Sequence, residues 1–321
     1  MKIAVISDLW LPFPGGAERY IYNITRELRN RGHEVYVLCS YENAKEFDGI
    51  APYFKSIGVT KYNHCPGHTH DDGWSDILKW LLPLNVDVIL THGFFATEFS
   101  ADMNKLGIPR VQLTYSGKRN PHANLAVYCS DYTRQRADSR PEDMVILPPA
   151  FEDCVAPTHG DYIGFIKPIP HKGVEFVFSL ASHASNREFM ILHGEWTHIE
   201  IIRDLPNVTY LTAVNDIRDF YSRCRMVLIP SLAEDAGTVP QEAALNGIPC
   251  LSSNVMGLVE TNKGGIVLPH DVKQWSAEID KLDSPDYYRE VVNRQKEYVK
   301  TLNWPAQFDE LSRKICQLAH K

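Results

Sequence analysis

The stretch Pro230-Ser-Leu-Ala-Glu-Asp-Ala-Gly-Thr-Val-Pro-Gln-Glu242 contains the residue types best placed to do chemistry. It follows a predicted strand and opens a predicted helix, so Glu234 falls in the approach loop and Glu242 in the first turn. Carboxylates there can accept hydrogen bonds from hydroxyl groups. The helix N–H groups and positive dipole end suit an anion such as a phosphate. Thr238 and Gln241 have capping-box spacing, and Pro240 lies where its missing N–H costs nothing. A plainer alternative stays open on spacing alone: Glu242 complements the helix dipole, and Glu234 is a solvated loop charge.

A second candidate is the turn Gly164-Phe-Ile-Lys-Pro-Ile-Pro-His-Lys172-Gly173. It sets Lys172 at the mouth of another helix, where its point charge suits a diphosphate, and Gly173 lets the backbone come close. An exposed lysine in an ordinary turn is the competing reading. Pro14-Gly15-Gly16 follows the first strand but lacks the GxGxxG pattern. His92, in Thr91-His92-Gly93, sits at the carboxyl end of the strand Val86–Leu90, where α/β folds bind ligands; a structural histidine is the alternative. His64-Cys65-Pro-Gly-His68-Thr-His70-Asp71-Asp72 has metal-like ligand types but no HExxH or CxxC frame, which favours a polar loop. Lys118, Arg119, Arg134, Arg136 and Arg140 form a locally basic run: a solvated face, or a contact for an anionic acceptor, a membrane surface or nucleic acid.

These residues need elements to position them. Short apolar runs alternate with amphipathic stretches, which predicts an α/β fold with parallel sheets. Ile3–Ser7 reads as a buried strand and Ala17–Arg31 as a helix with Gly32 at its end. Strands follow at Val35–Cys39, Val86–Leu90, Arg110–Leu113 and Leu125–Cys129. Residues 148–161 hold three prolines and no periodicity, which marks a boundary. A second series then begins: strand Tyr162–Ile166, helix Val174–Ser182, and strands Phe189–Leu192, Val208–Leu211, Met226–Ile229 and Ile248–Ser252. The expectation is two doubly wound domains, 1–155 and 156–303, with a terminal helix near 304–321 packing back on the first. Their ligand is expected in the cleft between them.

Composition bounds the rest. The 321 residues are 44% hydrophobic and 23% charged, which excludes a disordered or fibrous chain. Residues 1–155 carry 16 Lys and Arg against 19 Asp and Glu, and the remainder 17 against 21, so neither half has a basic footprint. No run reaches the roughly 18 apolar residues a membrane span requires, and the N-terminus does not read as a signal peptide. Seven scattered cysteines without CxxC fit a reducing compartment, and a cytoplasmic location is expected.

Together these motifs carry a resemblance. The chain resembles the glycosyltransferases of family 4, with their two-domain GT-B fold. In the first half the likeness lies in Pro14-Gly-Gly-Ala-Glu-Arg-Tyr and Leu28-Arg-Asn-Arg-Gly-His-Glu-Val. In the second half Glu234 and Glu242 match the family's Glu-x7-Glu motif, followed by a small-residue helix, a Gly-Ile-Pro turn, Gly257-Leu-Val-Glu260 and Gly264-Gly265. The resemblance implies that Glu234 binds hydroxyls of the donor sugar and Glu242 the donor ribose. Gly237, Thr238 and Val239, with Ala236 beside them, offer backbone N–H groups to sugar and phosphate. Lys172 neutralises the leaving diphosphate, Gly15 and Gly16 approach it, and His92 hydrogen-bonds the transferred sugar. Many members have an arginine where this chain has Phe165; Lys167 is the candidate substitute.

The chemistry so implied is retaining transfer of a hexose-type sugar from a nucleoside-diphosphate sugar, with UDP favoured over GDP. Charge grows on the departing phosphate, so Lys172 and the helix N-terminus gain strength in the transition state. The chain contains no DxD, and no metal or other cofactor is expected. The acceptor is open: glycan, lipid-linked, small molecule or modified nucleic-acid base. Rival readings are a nucleotide-sugar epimerase of the same fold and a transferase acting on modified DNA bases. A nicotinamide-dependent oxidoreductase lacks both its GxGxxG and the acid ending strand two.

Overall fold

The computed structural model describes the chain except residues 8–14, 40–61, 65–69, 93–98, 116–117, 159, 195–200, 213, 215 and 321, and except the side chains of 39, 62–64, 70–73 and 100. Contacts divide the chain into two units. One comprises Met1–Ile146 with Trp304–Lys321, the other Leu147–Asn303. The division falls slightly before the 155/156 boundary read from the sequence, because strand pairing ends at Val145 and the Pro-rich segment belongs to the second unit.

The N-terminal unit holds a seven-stranded parallel sheet in the order β3-β2-β1-β4-β5-β6-β7. The strands are Lys2–Ser7 (β1), Glu34–Cys39 (β2), Tyr62–His64 (β3), Val88–His92 (β4), Arg110–Thr114 (β5), Leu125–Tyr128 (β6) and Met144–Val145 (β7). The order reverses at β1, the switch point where open α/β sheets bind ligands. Alternate residues serve opposite faces. Ala4, Ile6, Tyr36, Leu38 and Ile89 pack with Ile77, Trp80 and Leu81 of helix His70–Leu81. Helix Gly16–Asn30 ends at Arg31, and Gly32 turns the chain with φ +83°, as its place after the amphipathic run requires. The terminal helix Trp304–Ala319 joins this unit through Arg31 Nε to Asp309 Oδ1 at 2.8 Å and His33 Nε2 to Ser312 Oγ at 2.7 Å.

The C-terminal unit holds a six-stranded parallel sheet, β10-β9-β8-β11-β12-β13. Its strands are Tyr162–Ile166 (β8), Phe189–Leu192 (β9), Val208–Leu211 (β10), Cys224–Ile229 (β11), Cys250–Ser253 (β12) and Ile266–Leu268 (β13). Ile163, Phe165, Ile191, Met226 and Leu228 bury one face with Val177, Phe178 and Trp275. Met190, Leu192, Val227 and Ile229 bury the other with Phe220, Tyr221, Ala243 and Leu258. Burial on both faces accounts for the continuous apolar runs of β8, β9 and β11. Among the described residues no helix is long and apolar enough to cross a membrane.

Candidate functional site

The richest group of candidates lies in the C-terminal unit, in loops leaving β8, β11 and β12. After β8 the chain makes the short 3-10 turn Pro170–Lys172, then Gly173 with φ +84°, then helix Val174–His183. A Cβ at 173 would collide with the carbonyl oxygen of Pro230, so the turn can sit this close to the β11 loop only with glycine. The backbone N–H of Leu232 donates to the carbonyl of His171 at 2.9 Å, tying the two loops together. His270 Nε2 lies 2.8 Å from the carbonyl of Pro230 on the same loop.

This juxtaposition brings Lys172 to Glu234. Lys172 Nζ donates to Oε1 at 2.7 Å and to Oε2 at 2.8 Å, with the side chains 27% and 13% exposed. Residues 62 apart in sequence thus form one half-exposed group, a cation and an acceptor side by side. Gly257, in helix Met256–Thr261, packs against the carbonyls of Glu234 and Asp235, where a Cβ would collide with both. The loop is therefore held from two sides.

Beyond it, helix Val239–Asn246 begins. Ala236 and Gly237 are buried, Thr238 and Val239 half-buried. The capping box read from Thr238 and Gln241 does not form. Thr238 has αR backbone angles and no side-chain cap bond. Gln241 instead turns inward, fully buried, and donates to the carbonyl of Thr261 at 3.1 Å. The packing demand of a buried helix start overrides the local motif. The first intrahelical bond runs from the N–H of Gln241 to Thr238 O at 3.1 Å, so the amides of residues 237–239 precede the ladder. Glu242 accepts from the hydroxyl of Tyr221 at 2.5 Å. Its own backbone carbonyl accepts from Asn246 Nδ2 at 2.8 Å, and Asn246 also donates to Cys154 O and accepts from Ala156 N.

Sequence reasoning missed Tyr221, Asn246 and the closing role of Gly257. Tyr221 sits in a four-residue helix too short to show periodicity, and Asn246 reads as a helix-ending residue. Phe165, the residue standing where many family members have arginine, is buried inside β8 and faces the core. Lys167 follows the strand with φ +68°, half-buried, its N–H bonded to Leu192 O at 2.8 Å.

In the N-terminal unit, Gly15 is the N-cap of helix Gly16–Asn30. The buried Glu18 carboxylate occupies the space a Cβ at 15 would need, and Gly16 is exposed. Pro14 lies outside the described residues. His92 is the last residue of β4, not a loop residue beyond it: the strand starts two residues later than the run Val86–Leu90 predicts. Its Nδ1 lies 3.4 Å from Ser7 Oγ on the paired strand β1. Burial pushes the imidazole pKa down to about 4, so at neutral pH His92 is an uncharged hydrogen-bonding group.

The basic run is not a uniform surface patch. Arg119 is buried in a bidentate pair with Asp143, at 2.7 and 3.1 Å, which corrects its assignment as a contact for an external anion. Asp143 also accepts from the N–H groups of Arg140 and Ala126; the Arg119 guanidinium first, then these two bonds, hold its carboxyl below the usual range against the effect of burial. Removing either partner of such a pair costs about 3–5 kcal/mol. Arg134 pairs with Asp131, Arg136 covers the ring of Tyr132, and Arg140 donates to Pro121 O; Lys118 is exposed. Of the 64–72 cluster, residues 65–69 lie outside the described residues, as do the side chains of the rest. Among the described residues no group of three His, Cys, Asp or Glu converges on a metal position.

Comparison with known proteins follows the same division. The family model described as "Glycosyltransferase Family 4" matches residues 14–151, and "Glycosyl transferases group 1" matches residues 160–284. The capsular polysaccharide biosynthesis glycosyltransferase CapM of Staphylococcus aureus is 31% identical over 91 residues, 27% of this chain and 24% of that one. The match thus spans about a quarter of that relative's length. Among solved structures, sucrose-phosphate synthase of Thermosynechococcus elongatus superposes with a TM-score of 0.77 at 16% identity, covering 99% of this chain and 98% of that one. Alr3699/HepE of Anabaena, solved in complex with UDP-glucose, gives 0.75 at 14% identity, covering 99% and 98%. A glycosyltransferase of Rickettsia africae gives 0.71 at 12%, covering 98% and 99%. At these identities the likeness establishes a shared GT-B fold of two Rossmann-like parallel-sheet units.

Proposed function

Because the chain belongs to the family 4 glycosyltransferases, matched in both its halves, we propose that it moves a hexose-type sugar from a nucleoside-diphosphate sugar to an acceptor hydroxyl. The donor is UDP-linked, GDP being second, and transfer proceeds with retention at the anomeric carbon. The observation that carries this reading is the Lys172–Glu234 pair beside the start of helix Val239–Asn246. The pair sets an ammonium against a carboxylate in the loop that leads into this helix. The ammonium is assigned to the diphosphate, the carboxylate to sugar hydroxyls and the amides of residues 237–239 to the departing oxyanion.

When the glycosidic bond to the diphosphate breaks, negative charge accumulates on the departing phosphate oxygens. Lys172 and the amides of residues 237–239 attract that charge more strongly in the transition state than in the bound donor, which is the condition for catalysis. Glu234 accepts from sugar hydroxyls while holding the ammonium in place. Glu242 takes the ribose hydroxyls, with Tyr221 beneath it. His92, neutral, and Gly16 keep the roles implied by the resemblance, a hydrogen bond to the sugar and close approach to diphosphate. The reaction runs without a divalent ion, in the cytoplasm.

A thermal-shift panel of UDP, GDP, ADP and TDP sugars tests the donor class, since a ligand that binds only the folded state raises its melting temperature. The largest shift is expected with a UDP sugar. Product analysis without acceptor separates transfer from epimerisation of the donor. Activity that survives a chelator is expected; loss restored by one divalent ion would contradict the metal-free mechanism.

A further inference from the structure

Tyr221 is fully buried at the end of helix Arg218–Tyr221, its ring 5.4 Å from that of Phe220 in an edge-to-face arrangement. It belongs to an apolar core cluster with Phe220, Ala156, Cys224, Ala243, Ile248 and Leu258. Phenylalanine satisfies such a setting as well as tyrosine, as Phe220 beside it demonstrates, and brings no hydroxyl that must be satisfied. The hydroxyl at 221 donates to a carboxylate, Glu242 Oε2, at 2.5 Å. That carboxylate belongs to a half-buried residue in the first turn of helix Val239–Asn246.

Two anchors converge on Glu242. Asn246 holds its backbone carbonyl and staples the helix to residues 154–156. Tyr221 holds the far end of its side chain from below. A glutamate has three rotatable side-chain bonds, and a free one must be ordered whenever a ligand binds it. A hydroxyl rooted in the core performs that ordering beforehand, so the cost is absent when the ligand arrives. Burial and the neighbouring Glu242 push the phenol pKa well up, which keeps Tyr221 a donor throughout the working range.

We propose that Tyr221 is a positioning residue, whose buried hydroxyl fixes the carboxylate of Glu242 in the orientation that receives the donor ribose. The inference rests on the proposed reading of Glu242 as the ribose ligand. It makes Tyr221 part of the nucleotide-affinity machinery, acting only through Glu242 and touching no substrate.

Calorimetric titration of UDP into the parent, Tyr221→Phe, Glu242→Ala and the double variant tests it, beside steady-state kinetics with the UDP sugar. Tyr221→Phe keeps the ring and its packing. It is expected to weaken UDP by about 2- to 12-fold, the cost of ordering one side chain, and raise donor KM by a similar factor. Turnover number is expected to stay within about twofold, since the ribose does not change during reaction. In the double variant the loss should equal that of Glu242→Ala alone, because the hydroxyl has nothing left to position. Unchanged UDP affinity in Tyr221→Phe, or losses that add in the double variant, would overturn the inference while leaving the ribose role of Glu242 standing. UDP affinity unchanged in Glu242→Ala, or no binding of UDP by the parent, would instead remove the ribose reading itself and the inference with it.

Discussion

Lys172 Nζ lies between the two carboxylate oxygens of Glu234, 2.7 Å from one and 2.8 Å from the other. Both side chains are partly exposed, so the pair contributes little to stability, about 0–1 kcal/mol. Its consequence is for ligands. A diphosphate that uses Lys172 does so beside Glu234, and loss of the lysine leaves a carboxylate facing the incoming anion. Lys172→Ala is therefore expected to weaken UDP by about 10- to 150-fold, the equivalent of a charge-assisted hydrogen bond. Titration calorimetry reads this directly; an unchanged dissociation constant would contradict the role of the turn.

Gly173 carries the close approach of that turn to the Pro230 loop. Gly173→Ala meets both a positive φ and a collision with Pro230 O, so it should lose about 1–3 kcal/mol or more and weaken UDP as the loops separate. Gly32→Ala is the matched control. Its φ is equally positive, +83°, but nothing lies within 4 Å of the added Cβ. It should lower the melting temperature modestly and leave UDP affinity alone. Equal effects of the two on UDP would show that the contact with Pro230 has no part in binding.

His92 predicts a pH dependence whose sign follows from its burial. Its pKa falls from 6.5 to about 4 on folding. Between those values the unfolded chain binds more protons than the folded one, so stability rises with pH across the window. Above about 6.5 the contribution is constant, and it is lost as pH falls towards 4. His92→Gln, which does not titrate, should show a shallower decline over that interval. Denaturant midpoints of parent and variant, measured from pH 4 to 7, test this. Parallel curves would mean that His92 is solvated.

Parallel α/β character was readable because strands buried on both faces are apolar runs of the right length, and Tyr162–Ile166 and Phe189–Leu192 stand where those runs stand. What local pattern could not convey is pairing across loops. Lys172 and Glu234 are each visible as single residues in their turns, but their bond depends on Gly173 and Gly257 letting backbones touch. Thr238 and Gln241 misled for the same reason: a buried partner, Thr261, outweighed the local cap. Arg119 reads as surface charge until Asp143 is placed beneath it. Short elements such as Met144–Val145 and Arg218–Tyr221 carry too few residues to show a period.

The two carboxylates of the Glu-x7-Glu motif provide the sharpest separation, because the structure gives them different neighbours. Glu242 accepts from a buried phenol, on the side of the donor proposed to remain unchanged during transfer. Its removal should act as a loss of uniform binding: donor KM rises, turnover number falls little, and free UDP binds more weakly. Glu234 is bonded to the lysine proposed to meet the diphosphate, and its own proposed partner is the sugar. Glu234→Ala removes sugar contacts where geometry and charge change, so turnover number should fall substantially. It also removes a negative charge from beside Lys172, so UDP, which carries no sugar, should bind at least as tightly as to the parent. Calorimetry with UDP alone, set beside kinetics with the full donor, distinguishes the two variants. UDP binding lost in Glu234→Ala and kept in Glu242→Ala would reverse the assignment. It would then make the Lys172–Glu234 pair a unit that must stay intact for the diphosphate to be held.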